Sequence, residues 1–476
     1  MNPYGSLLLH LSTAALAAGG ILWGLQQRQA DSSPESQARI RDLQAEITRL
    51  RAELEENTPP PGEDRDPFVN PVLPDISDGS EALQLDLAYR TAELRGLPFA
   101  SGPVFETVPF EKVYRTNQDL LRSDFPGDAF ARTTRTFQAA SLIDRDTSLE
   151  QIFLDHSDLF GPCALDIAGE SVLVAEASQL DDPATSLFVV REILRLLQFQ
   201  HFDQSFLTIA PEGQWDRFLA MRALSRGDLM IHLDDFLKAS LPATEDAAED
   251  APATTLRNEV RDQLEAAAGT APRFLRRLLL FPTAEGSAFC ETLRGETGID
   301  AAFADPPTCT SHVLHPELYL ATPRYLPRTL HWNDALTGAA SPSFDSALGE
   351  FLVREWLARS LDDARAAVLA ESWDGDRCTL FEDDEGLHFL WGFLWRSEAA
   401  AQAFLEALTG AVPSMFAVTP DPGEIGDAEV LRFSGPVRVE ILRPAPDRIF
   451  LVRAGSEVWA GKLSKIALAA ETASAR

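Results

Sequence analysis

Cysteine is scarce: four residues in 476, at Cys163, Cys290, Cys309 and Cys378, with no CxxC spacing. That excludes a zinc ribbon and a disulfide-dense scaffold; one or two disulfides fit the count, with the pairing open. Basic residues are also short, 41 Lys and Arg against 73 Asp and Glu, a net charge of −32. A nucleic acid would find little to displace its counterions, so no nucleic-acid partner is expected. The same charge favours solubility and repels anionic lipid head groups. There is no internal repeat, and no local signature of a Ser-His-Asp or Cys-His nucleophile set.

One long apolar run is present, at 7–25, with His10 its only ionisable side chain. It is about long enough to span a bilayer. No Lys or Arg precedes it, unlike a signal peptide, so the reading is an uncleaved single-pass anchor, with a cleaved signal as the alternative. Arg28, just past the run, leans toward a cytoplasmic C-terminus, a preference that a long domain overrides. Ile40, Leu43, Ile47, Leu50 and Leu54 then alternate spacings of three and four. Ile at a and Leu at d suit a parallel two-stranded coiled coil, so residues 40–54 predict either a parallel homodimer or a solvated stalk. Three consecutive prolines at 59–61 make a stiff linker.

The expected organisation is therefore an anchor (1–27), a stalk (28–57), a Pro-rich linker (58–80), a mostly helical domain (81–345) and a C-terminal unit (346–476). Periodicity predicts helices at 81–96, through 116–160 and at 187–206, with strands at 103–109 and 170–177. Residues 241–253 are acidic and of low complexity, the composition of a mobile loop. Further on, a helix is expected at 346–371, a hairpin from 376–382 and 387–395, a helix at 397–409, and two paired strands in "VRVEILRP" and "DRIFLVRAG". The fold class is α+β, with the antiparallel strands in the C-terminal unit. Trp373, Trp391 and Trp395 read as core rather than as a ligand patch. Asp374-Gly375-Asp376 lacks the ligand series of a calcium loop and reads as a turn leading into a strand.

Within 187–206 lies the frame Arg191-Glu192-Ile193-Leu194-Arg195, continuing to Gln198-Phe199-Gln200-His201-Phe202-Asp203. Downstream come Arg226-Gly227-Asp228-Leu229, "LLLFPTAEGSAFCETL" (278–293), "ADPPTCTSHVLHPELYL" (304–320) and "ESWDGDRCTLFEDDEGLHFLWGFLWRSEAAAQAFLEAL" (371–408). In that order, over roughly residues 85–410, these stretches resemble the gluzincin-like zinc metallopeptidases found as bacterial lipoproteins and haloarchaeal surface proteins. That family's helix runs H-E-L-x-H-A-L-Q-D-Q-x-F-D, followed by an E-G-D-A core on a second helix.

The resemblance implies a metallopeptidase-like fold in which Arg191 and Arg195 stand at the two histidine positions and Arg226 at the third-ligand Glu. Only the general-base position, Glu192, keeps its residue. Arginine has no lone pair to donate, so no metal and no cofactor are expected. Without zinc no bound water is activated, so the implied activity is lost and Glu192 is vestigial. His201 projects from a different part of the helix; His312 and His315 are three apart, a spacing some metal pairs use, and His232 is four after Asp228. A lone histidine is more often a hydrogen-bonding residue than a ligand, so a rebuilt metal site is not expected. The three arginines would then either form a salt-bridge cluster with Glu192 and Asp228, or a pocket for a carboxylate, or face solvent. The implied role is a binding or scaffold protein on the extracytoplasmic side, with a protein partner in the cell envelope. The alternatives are an active hydrolase with a non-standard metal site, or a structural subunit of an envelope complex.

Overall fold

A computed structural model describes residues 79–155, 161–176, 178, 183–202, 213–240, 271–332, 341–421 and 429–473. The expected anchor at 7–25, the heptads at 40–54, the linker prolines and the acidic stretch at 241–253 lie outside the described residues. Among the described residues, no helix is long and apolar enough to cross a membrane.

The fold is α+β. In chain order it runs α1 (Gly79–Arg95), β1 (Val104–Val108), α2 (Phe110–Ser123), α3 (Ala129–Ala139), α4 (Leu149–Asp155), β2 (Cys163–Asp166), β3 (Ser171–Ala175), α5 (Pro183–His201) and α6 (Trp215–Ser240). There follow α7 (Arg273–Glu296), α8 (Ile299–Ala304), α9 (Thr310–Leu314), α10 (Pro316–Leu320), β4 (Thr329–His331), β5 (Phe344–Ser346), α11 (Gly349–Leu357), α12 (Asp363–Ala370), β6 (Trp373–Asp383) and β7 (Gly386–Trp395). The last elements are α13 (Glu398–Phe416), β8 (Thr419–Pro420), β9 (Glu429–Ser434), β10 (Arg438–Ala445), β11 (Arg448–Ala454), α14 (Glu457–Leu468) and β12 (Glu471–Ala473). Two compact units result. One holds the described parts of 1–121, 154–203 and 228–270; the other holds 122–153, 204–227 and 271–476.

In the first unit a small sheet has the order β1-β3-β2, with β1 parallel and β2 antiparallel to β3. All five residues of β3 are buried. A strand with both faces covered needs a continuous apolar run, which Val172, Leu173 and Val174 supply. Helix α5 contacts β2, β3 and α1. Val189, Val190, Ile193, Leu194, Leu196 and Leu197 are each at most 2% exposed. Apolar on most of its circumference, α5 can only be a core helix. Burying each of these side chains contributes roughly 1.5–3 kcal/mol, set against the ordering of the chain.

In the second unit the main sheet has the order β5-β6-β7-β11-β10-β9-β8. The expected hairpin is β6–β7, closing at Asp383 opposite Gly386, and β10 pairs antiparallel with β11. One face of the sheet packs on α14 through Leu390, Leu394, Phe450, Val452, Trp459 and Leu463. On the other, Trp391 meets Trp356 at 5.0 Å and Trp395 meets Phe404 at 4.4 Å, centroid to centroid. Trp373, Trp391 and Trp395 are all fully buried, so they are core. Helices α6 and α7 approach backbone to backbone at Gly227 and Gly286. A Cβ on Gly227 would collide with Gly286, and one on Gly286 with Ala223.

Several expected elements change. The helix over 346–371 is two: α11 ends at Leu357 and α12 starts after Asp362, whose side chain accepts from the Arg365 amide 2.9 Å away. A side-chain N-cap begins a new helix and thereby ends a continuous one. Residue 346 itself belongs to β5. The helix over 397–409 continues to Phe416, with Ser397 as its N-cap. Asp374-Gly375-Asp376 is not a turn. It lies inside β6, where a bulge between Trp373 and Gly375, with Gly375 at φ 145, admits the Arg328 backbone. The cysteines make no disulfide: all four are free and buried.

Candidate functional site

The candidate site is built on α5. Arg191 and Arg195 are one turn apart and share a helix face, with Glu192 beside them. Glu192 is fully buried, and both of its oxygens are taken. Arg191 Nε donates to Oε1 at 2.7 Å, with Nη2 at 2.6 Å from the same oxygen. Arg195 Nη1 donates to Oε2 at 2.6 Å. The arginine side chains are only 15% and 16% exposed. These are short, charge-assisted bonds from two guanidinium groups to one carboxylate, the strong class of hydrogen bond.

The surroundings fit this use. The Arg191 guanidinium lies 5.2 Å from the Phe188 ring centroid, in cation–π range. The ring in turn fills the space that a side chain at Gly161 would need, and Gly161 has the left-handed φ of 69 that glycine takes without strain. Cys163, on β2, feels the cluster. Burial pushes its thiol well above the ordinary range, the Glu192 charge adds to the rise, and Arg191 partly offsets it. Such a thiol stays protonated and unreactive at neutral pH.

Asp228 does not join this cluster, contrary to expectation. Its carboxylate lies 3.1 Å from Arg95 Nε and accepts from Gln198 Nε2 at 2.7 Å. His232 Nδ1 is 3.1 Å from the carboxylate and 2.9 Å from the Asp228 carbonyl. Arg95 is at the end of α1, and the packing of α1 against α5 brings a competing guanidinium to Asp228. Burial alone would raise the Asp228 carboxyl, but the His232 hydrogen bond, Arg95 and Gln198 outweigh it and hold it below its usual value. Arg95 and Gln198 were not singled out in the sequence. Gln198, two turns after Arg191 and directly following the apolar pair Leu196-Leu197, was the signal available. Arg226, the third inferred position, is partly buried on α6, in the stretch belonging to the second unit.

The histidines are spoken for separately. His312 Nε2 lies 2.7 Å from the Tyr325 carbonyl, and burial lowers its pKa. His315 Nε2 lies 2.7 Å from Glu350, whose hydrogen bond raises the imidazole pKa against the opposing effect of burial. His201 bonds the Pro98 carbonyl. Among the described residues, no group of three His, Cys, Asp or Glu side chains is placed to hold a metal.

A second buried polar centre surrounds the start of α11. Asp216 Oδ1 accepts from the Thr310 amide at 2.7 Å and its hydroxyl at 2.6 Å. Asp376 accepts from the amides of Leu348 and Gly349, each at 2.9 Å, and from Trp391 Nε1 at 2.8 Å. Glu350 accepts from Ser311 at 2.6 Å. Asp376 receives the amides at the start of α11 and ties it to β6, while Glu350 ties α11 to α9 through Ser311. Asp216 does so through Thr310, whose hydroxyl accepts from the Phe351 amide. The Asp216 pKa is pushed up to about 7, by burial first and then by the Asp376 and Glu350 charges, against the Thr310 hydrogen bonds.

Residues 339–460 match the model of a family described as a domain of unknown function, DUF8575. That span takes in the large sheet from β5 to β11 and omits Arg191, Glu192 and Arg195. No curated protein and no solved structure matches the chain.

Proposed function

We propose that this chain is a non-catalytic relative of gluzincin-like metallopeptidases, held at the membrane by residues 7–25, that serves as a binding or scaffold protein on the extracytoplasmic side of the cell envelope. The observation carrying the proposal is the closed Arg191–Glu192–Arg195 cluster. The one residue that the resemblance would keep for catalysis is buried, and two arginines occupy its oxygens. A general base must reach the proton it abstracts, and each Glu192 oxygen instead accepts from an arginine inside the core. The arrangement favours the salt-bridge reading of the arginines over a carboxylate pocket, because both guanidinium groups are already directed at Glu192.

The test has two arms. Purified full-length chain is analysed for zinc and titrated with it, and the anchored form is used to recover partners after crosslinking. The proposal expects no stoichiometric zinc. It also expects partners that still bind after Glu192→Gln. Stoichiometric zinc, lost on Glu192→Ala, would instead support a hydrolase with a non-standard metal site.

A further inference from the structure

Two histidines one turn apart, at the middle and end of α9, sit in surroundings that answer a proton in opposite ways. His312 is fully buried. Its Nδ1 lies 3.3 Å from the Thr308 amide nitrogen and its Nε2 lies 2.7 Å from the Tyr325 carbonyl. An amide only donates and a carbonyl only accepts, so the ring is neutral, with its lone pair on Nδ1 and its proton on Nε2. A second proton would set Nδ1–H against the Thr308 N–H. His315, three residues on, meets a carboxylate instead. Its Nε2 is 2.7 Å from Glu350 Oε1, and Ser311 donates to Oε2 at 2.6 Å. A charged imidazolium strengthens that contact.

The groups around α9 fit this division. At His312 they are Asp305 and Arg324, with the Tyr319 and Tyr325 rings edge-on at 5.7 and 6.5 Å between centroids. Arg324 lies 4.0 Å over the same Tyr319 ring and pairs with Asp305 at 2.7 Å, so a charged His312 would share that ring with a cation. Helix α7 contributes the Phe289 ring, 5.3 Å from Tyr319. At His315 the groups are carboxylates: Glu350 of α11, Glu317 of α10 and Glu371 after α12. Asp216 holds Thr310 at the start of α9, next to the buried Cys309 thiol. Burial lowers the His312 pKa below its ordinary 6.5, while the Glu350 bond raises that of His315. Tyr325 also has a tether elsewhere. Its hydroxyl donates to Asp374 of β6 at 2.8 Å, and the Arg328 amide reaches the Asp374 carbonyl at 2.7 Å. We infer that α9 is an acid-operated latch: a proton on His312 releases Thr308 and Tyr325 from the helix, while His315 keeps the helix on α11 and Asp374 keeps Tyr325 on the large sheet. The contribution of His312 is complete above about pH 6.5 and is lost as pH falls toward its folded value; that of His315 is present in acid and is lost as pH rises through its own. Acid therefore opens one contact and leaves the other shut.

The experiment is hydrogen exchange of the full chain between about pH 7.5 and pH 5, with rates corrected for the intrinsic pH dependence of exchange. Four amides report: Thr308, bonded to His312; Tyr325, bonded to the Leu318 carbonyl; His315, bonded to the Ser311 carbonyl; and Arg328, bonded to the Asp374 carbonyl. Below about pH 6.5, Thr308 and Tyr325 should lose protection by up to about tenfold per pH unit, while His315 and Arg328 stay within about twofold. His312→Gln, which takes up no proton, should remove the pH dependence at Thr308 and Tyr325. His315→Gln should let the amide at position 315 exchange faster in acid than in the wild type. Protection at Thr308 and Tyr325 that is flat with pH in the wild type overturns the inference, and that series decides even where His312→Gln folds poorly. Equal losses at all four amides, the sign of general loosening in acid, also overturn it, as does a folded His312→Gln that keeps the wild-type pH dependence.

Discussion

Replacing Glu192 by Gln removes one charge and little volume, and it isolates what the cluster contributes. In the wild type a fully buried carboxylate receives bonds of 2.6–2.7 Å from two arginines that are 15% and 16% exposed. The glutamine amide cannot accept at both ends, so one guanidinium faces an N–H2 group. Breaking a buried ion pair on one side costs roughly 3–5 kcal/mol. Residual solvent at the arginines places this case near the lower end, about 3 kcal/mol. The chain has two units, so a global melt mixes events, and hydrogen exchange of the peptide spanning α5 is the cleaner assay. At about 1.4 kcal/mol per factor of ten, amide exchange there should quicken roughly a hundredfold. A triple change to Arg191→Leu, Glu192→Met and Arg195→Leu should return protection to within about 1 kcal/mol of wild type, because apolar replacement also removes the desolvation cost. An exchange rate in Glu192→Gln within about twofold of wild type would refute the reasoning; it would mean that the arginines face solvent in solution.

Gly286→Ala should destabilise the second unit by about 3 kcal/mol or more, read as a lower urea midpoint, since the new Cβ meets the Ala223 backbone rather than a yielding side chain. Asp216→Asn should change the pH dependence of stability. The folded pKa of Asp216 is raised from 3.8 to about 7, so the folded state holds the proton more tightly; its contribution is fully present below about pH 4 and is lost as pH rises through 7. Wild type minus Asp216→Asn should therefore slope downward across that window by at most about 1.4 kcal/mol per pH unit, measured by urea unfolding at several pH values; a flat difference would contradict it. Asp228 runs the other way. Its lowered pKa stabilises above its ordinary value and is lost in acid, so Asp228→Asn should reduce stability at pH 7 and have less effect near pH 2 in the same measurement.

Local pattern carried much of this fold. The β6–β7 hairpin was legible because "DDEG" separates two runs of strand-forming residues, and α5 because its apolar residues recur at helical spacing. The break between α11 and α12 was not, since no Gly or Pro interrupts the residues 358–362 between them and only the Asp362 side chain marks the new start. The two-stranded pairing of β4 with β12 joins segments about 140 residues apart, and three-residue strands leave no periodicity to read. At the site, Arg191, Glu192 and Arg195 were legible as a group because they are within one turn. The partner of Asp228 was not, because Arg95 lies 133 residues away and only the packing of α1 on α5 brings it there. The Asp216, Glu350 and Asp376 centre was missed for the same reason: its members come from α6, α11 and β6, and acidic residues are common in a chain this negative.

Arg191 and Arg195 are proposed to close Glu192 off rather than leave it to serve a metal. Zinc titration of the full-length chain beside the variant Glu192→Ala tests this central claim most directly. The expected result is no stoichiometric zinc in either chain. One zinc per wild-type chain, lost in Glu192→Ala, would contradict it.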